Sequence, residues 1–114
     1  MLGFKEIDVE ELSVWLAGRG PGERPRLIDV RTPGEAARGV LPEAELVPLA
    51  SLPGCCADLD AEGAVVFYCQ TGARSAQACA FMAARGHATV YSLRGGIMAW
   101  LQGGMPVAQY ASDA

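Results

Sequence analysis

Val65-Val66-Phe67-Tyr68-Cys69-Gln70-Thr71-Gly72-Ala73-Arg74-Ser75 is the stretch on which the reading of this 114-residue chain turns. Its first four residues form an unbroken apolar run, which predicts a strand buried on both faces at the centre of a sheet. Six residues, Cys69 to Arg74, then separate the strand from Ser75. Ser75 is expected to cap an alanine-rich helix that ends at Ala84, before Arg85-Gly86.

Outward from that unit, strands and helices alternate over short connections. Phe4 to Ile7 reads as an edge strand. Asp8 caps a helix over Val9 to Ala17, with Glu11 at the capping-box spacing and Leu12, Trp15 and Leu16 on one face. Arg26 to Val30 is a second strand, followed by a turn of helix that Thr32 caps, with Pro33 first and Glu35 three residues after the cap. Ala44 to Val47 is a third strand. Leu49 to Gly63 stays open, because Pro53-Gly54 interrupts it. Ala88 to Leu93 is the last strand, and Gly95-Gly96 precedes a short helix through Trp100 and Leu101. This order predicts an α/β fold with a central, mostly parallel five-stranded sheet flanked by helices. A single domain over residues 1–104 is expected, with residues 105–114 as a tail.

Composition narrows the function. The chain is 51% hydrophobic and 19% charged, as an ordered globular domain requires. Its N-terminus lacks the basic start and apolar run of a signal peptide, and no segment is apolar for long enough to span a bilayer. A soluble cytoplasmic protein with no membrane partner is expected. The net charge of −4 argues against nucleic acid as a general partner. Residues 63–112 contain no carboxylate yet hold Arg74, Arg85 and Arg94. That asymmetry is either a surface for an anion or a by-product of buried strand and small-residue helix.

Ligands of parallel sheets bind beyond the carboxyl ends of the strands, which selects the loop after Tyr68. Gly72 lets that loop curl until backbone N–H groups point inward, and the next helix adds unpaired N–H groups and a positive dipole end. A thiol at the mouth of such a cradle ionises readily, and the thiolate is the reactive form. Cys69 is therefore expected to ionise more easily than a free cysteine, and Arg74 supplies a permanent charge for an anion or persulfide.

The chain resembles a rhodanese-homology domain from about Phe4 to Trp100. Leu27-Ile28-Asp29-Val30-Arg31-Thr32 is similar to the family's first signature. Cys69 through Ser75, with Gly86, Val90, Leu93-Arg94-Gly95-Gly96 and Trp100, is similar to the second. The resemblance implies sulfurtransfer through a Cys69 persulfide, from a small sulfur-donor anion such as thiosulfate, or a persulfide, to a thiol acceptor or sulfur-carrier protein. It makes Cys69 the nucleophile and the backbone amides of Gln70, Thr71, Gly72, Ala73, Arg74 and Ser75 the binding loop. Phosphatases and arsenate reductases of similar architecture carry a loop one residue longer, so the Cys-x₄-Arg spacing disfavours an oxyanion enzyme. A non-catalytic partner-binding or redox-sensing module is the remaining alternative, which an intact Cys69 loop counts against. Where the family commonly has His-Ile-Pro-Gly-Ala, this chain has Val40-Leu41-Pro42-Glu43-Ala44, so no imidazole assists from that position.

Other residues are read more plainly. Asp29 and Arg31 are expected as a structural ion pair near the site, Gly95 and Gly96 as points of close chain approach, and Trp100 as a core anchor. Arg94 should open on the same side as Cys69, either as an anion contact or as a solvated arginine. Cys79 should be buried and inert. Cys55-Cys56 is either a sulfur relay or a coincidence of neighbours. Neither the cysteine spacing nor His87 suggests a metal site, and no cofactor is implied.

Overall fold

A computed structural model of the chain describes residues 4–18, 24–55, 63–87 and 89–110. Five strands form one all-parallel sheet: β1 (Lys5–Ile7), β2 (Arg26–Asp29), β3 (Glu45–Leu46), β4 (Val65–Tyr68) and β5 (Val90–Leu93), in the order β1-β5-β4-β2-β3. Strand β4 is the middle strand, as its continuous apolar run requires, and all four of its residues are buried. The edges are short: β1 spans three residues and β3 two.

Alternation along β4 divides the core. Val65 and Phe67 point to one face, where α4 (Ala73–Ala84) contributes Ala78, Cys79 and Met82. Val66 and Tyr68 point to the other, packed with Leu12 of α1 (Val9–Leu16) and with Ile97 and Trp100 of α5 (Gly96–Gln102). Both predicted capping boxes form. Asp8 accepts from the Glu11 amide at 2.8 Å, while the Glu11 carboxylate accepts from the Asp8 amide at 3.1 Å. Thr32 and Glu35 do the same at the start of α2 (Pro33–Ala36).

Several boundaries differ from expectation. The open stretch after Val47 forms a 3₁₀ turn over Leu49–Ser51 and then α3 (Leu52–Cys55). Helix α4 begins at Ala73, so Gly72, at φ 113°, is its cap and Ser75 lies within its first turn. Glycine at this φ ends the loop three residues earlier than a serine cap would. The segment after α5 packs on the domain as far as residue 110. Val40 and Ala108 exchange backbone hydrogen bonds of 2.9 and 2.7 Å, and the Trp100 indole donates to the Pro106 carbonyl at 2.7 Å.

Beneath the carboxyl ends of β2 and β4 lies a buried polar knot. Asp29 is fully buried and accepts from Arg31 through both carboxylate oxygens and from the Tyr68 hydroxyl at 2.9 Å. Arg31 also donates to the Gly39 carbonyl at 2.7 Å, and the Leu41 amide donates to the Tyr68 oxygen at 3.0 Å. Burial works against the Arg31 charge, and Asp29 more than offsets it, raising its pKa. The knot ties β2, β4 and the Gly39–Leu41 turn together with every partner satisfied, the condition under which a buried ion pair is tolerated.

Glu43 adopts φ 64° at the position where the related pattern carries glycine. Its carboxylate pairs with Arg24 at the surface. Left-handed strain on a non-glycine residue costs ~1–2 kcal/mol, more than an exposed ion pair usually contributes. Glu43→Gly should therefore raise the thermal midpoint by roughly 4 °C, for a gain of about 1 kcal/mol. Circular dichroism melts check this, and an unchanged or lowered midpoint would show that the Arg24 pair outweighs the strain.

Candidate functional site

The parity of β4 decides where Cys69 points. It continues the Val65–Phe67 face toward the start of α4, and it is 1% exposed. The sulfur thus sits on the floor of the cradle, whereas the sequence placed it at the mouth. Its Sγ accepts from the Gly72 amide at 3.0 Å and the Ser75 amide at 3.4 Å. The Ser75 hydroxyl lies 3.7 Å from Sγ. Burial pushes the thiol pKa up, but the Ser75 amide and hydroxyl, with the Gly72 and Thr71 amides, bring it below its ordinary value. A lowered pKa favours the thiolate, the form that acts as a nucleophile.

The loop amides face inward because the loop carbonyls are held outward. Ile97 and Met98, in the first turn of α5, donate to the Cys69 and Gln70 carbonyls at 2.9 and 3.1 Å. Each peptide plane so fixed turns its N–H, that of Gln70 or of Thr71, to the opposite side. Gly96 makes this approach feasible: at φ 60°, a Cβ there would lie 2.4 Å from the Cys69 oxygen and 2.5 Å from the Gln70 oxygen. Gly95, at φ 77°, is similarly crowded by Ala99. Among the described residues, the Gln70, Ala73 and Arg74 amides have no protein acceptor. They remain available to an electron-rich atom placed on the sulfur.

Two serines back the sulfur. Ser75 Oγ donates to the Gly72 carbonyl at 3.1 Å and lies 2.8 Å from Ser92 Oγ on β5, buried at 1% exposure. The Ser75 and Ser92 hydroxyls share one hydrogen bond, which either can donate. Sequence reasoning missed Ser92. The available signal was a small polar residue, Ser92, in the strand run Val90-Tyr91-Ser92-Leu93.

The positive charges expected near the site have carboxylate partners. Arg74 is bound bidentately by Glu35, at 2.7 and 2.8 Å. That carboxylate also accepts from the Thr32 amide and hydroxyl, at 3.0 and 3.2 Å. Held chiefly by Arg74 and then by the Thr32 amide, the Glu35 pKa falls to about 2. The carboxylate is therefore charged at any ordinary pH. Arg94 lies 3.5 Å from Glu6 across two exposed side chains. The carboxylates missing from residues 63–112 come back in space from the first half of the chain.

A cavity of about 250 Å³ opens beside the loop, walled by Glu35, Arg38, Gly39, Gln70, Ile97 and Leu101. Cys79 is fully buried, and burial pushes its thiol up to about 12. Cys56 lies outside the described residues, and with it the proposed Cys55-Cys56 relay. Val40 and Leu41, where an imidazole was noted as absent, are buried in the core. Among the described residues no helix is long and apolar enough to cross a membrane.

Residues 10–103 match the family described as the Rhodanese-like domain. A protein of Allochromatium vinosum named Sulfurtransferase is 43% identical over 102 residues, which cover 90% of this chain and 92% of that protein. The crystal structure of a rhodanese-like domain protein from Staphylococcus aureus superposes with a TM-score of 0.81 at 28% identity, covering 95% of this chain and 100% of that one. A rhodanese-related protein from Thermoplasma volcanium gives 0.81 at 25% identity, over 92% and 98%.

The inward turn of the loop amides predicts that Gly96→Ala, which pushes on the loop carbonyls, raises the Cys69 pKa. Alkylation of Cys69 by iodoacetamide at pH 7 should slow, because less of the thiol is ionised. In the unmodified protein the rate should level off at lower pH than for a cysteine peptide. If both proteins titrate like the peptide, the amides do not stabilise the thiolate.

Proposed function

The chain belongs to the rhodanese-like domain family, and from that premise we propose that it is a sulfurtransferase carrying sulfane sulfur as a persulfide on Cys69. The observation that carries this reading is the sulfur's setting. It receives two backbone amides, has a lowered pKa despite burial, and faces further amides with no acceptor of their own. The Cys69 thiolate attacks the outer sulfur of a donor R–S–SH; the new S–S bond forms as the donor's S–S bond breaks, and R–S⁻ leaves. With thiosulfate the leaving group is sulfite. The outer persulfide sulfur then lies where the Gln70, Ala73 and Arg74 amides can donate to it. An acceptor thiol takes that sulfur by the same exchange and restores the Cys69 thiolate.

The loop dipoles do the electrostatic work, so no general base is required at Val40. The acceptor is a low-molecular-weight thiol or a thiol of a sulfur-carrier protein, and the cavity beside Gln70 offers room for its organic part. A reducing, cytoplasmic setting suits a site that begins each cycle as a free thiol.

Incubation with thiosulfate or a polysulfide should add one sulfur atom, about 32 Da by intact mass, to the protein but not to Cys69→Ser, since the thiolate must hold it. Cyanide or a thiol should then remove that mass. A protein that gains no sulfur from any of these donors would be a binding module instead.

A further inference from the structure

Three arginines around the site are matched to carboxylates, Arg31 to Asp29, Arg74 to Glu35 and Arg94 to Glu6, while Arg38 walls the adjoining cavity outside these pairs. The Glu35–Arg74 pair matters most, because Arg74 belongs to the cradle itself and senses the Cys69 charge. Both side chains are about one-third exposed, at 30% and 33%, and they meet through two parallel hydrogen bonds. A paired charge acts at a distance only as a dipole, whereas an unpaired guanidinium would draw in multiply charged anions. Within the loop itself, what is left to attract a ligand is a ring of peptide N–H groups, which act at hydrogen-bond range on one atom.

We propose that Glu35 is a specificity-determining residue, which by cancelling Arg74 makes the Cys69 cradle favour weakly charged sulfur donors over inorganic dianions. The proposal rests on the sulfurtransfer reading for its choice of donors. Glu35 acts through Arg74 and does not touch the sulfur, so its role is one of positioning and charge. It is also separable from its capping role, since glutamine can hold the same place in a capping box.

The test compares the unmodified protein with Glu35→Gln, Glu35→Asp and Glu35→Gln/Arg74→Gln, all as full chains. The first readout is the ratio of Cys69 alkylation rates by iodoacetate, an anion, and iodoacetamide, its neutral counterpart, followed on the peptide containing Cys69. The ratio cancels any change in thiolate fraction. In Glu35→Gln it should rise about threefold, the order expected of one exposed charge acting on one, and the rise should fade with added salt. Glu35→Asp, which keeps the charge, should stay near the unmodified value, and the double variant should return to it.

The second readout is the rate of sulfur uptake from thiosulfate and from 2-hydroxyethyl persulfide. Because the Coulomb energy scales with ligand charge, Glu35→Gln should speed uptake from dianionic thiosulfate about ninefold, and far less from 2-hydroxyethyl persulfide, which reacts as the neutral R–S–SH. An unchanged iodoacetate ratio in Glu35→Gln overturns the proposal, as does a raised ratio that persists when Arg74 is also removed. A raised ratio in a protein that accepts sulfur from neither donor upholds the charge control and overturns the sulfur reading instead.

Discussion

The site depends on the capture of the Cys69 and Gln70 carbonyls by the first turn of α5. The first amides of a helix have no partner within it and must find one elsewhere. Here they find the outer side of the loop, and the rigid peptide plane turns that demand into two inward-facing N–H groups. Gly96 is the condition for it, because no side chain fits where its Cβ would stand. A helix end that is polar out of necessity therefore shapes the pocket on the far side of the loop.

Around the loop the fold supplies rigidity through paired charges. The Asp29–Arg31–Tyr68 knot fixes the ends of β2 and β4. Glu35 ties α2 to the first turn of α4, so the cradle is gripped from both sides. Each of these contacts ends in a satisfied pair. The thiolate is thus stabilised by fixed dipoles whose orientation is set at folding, the arrangement that needs least reorganisation when charge moves.

What could be read from the sequence followed from how local each feature is. The β4 run, the glycine after Cys69 and the capping pairs Asp8–Glu11 and Thr32–Glu35 lie within a few residues of one another, and their geometry follows from their spacing. The start of α4 was misplaced because Ser75 has the chemistry of a cap, while Gly72 has the backbone freedom that the turn needs. The charge pattern misled for a different reason. Glu35 and Arg74 are 39 residues apart in the chain, and only the parallel crossover from β2 to β4 brings them together. Ser92 was hidden similarly, since its partner Ser75 lies on another element.

In the cradle the reactive contacts belong to the backbone, while Thr71 and Ala73 turn their side chains to solvent and Gln70 is half-buried. Two kinds of information thus occupy the same residues. On the proposed sulfurtransfer reading, the main-chain path encodes how sulfur is held, and the side chains are left to encode whom the protein meets. Mutation can rewrite that address at positions 71 and 73 without touching the chemistry, so one scaffold can be passed among many partners while its reaction stays constant.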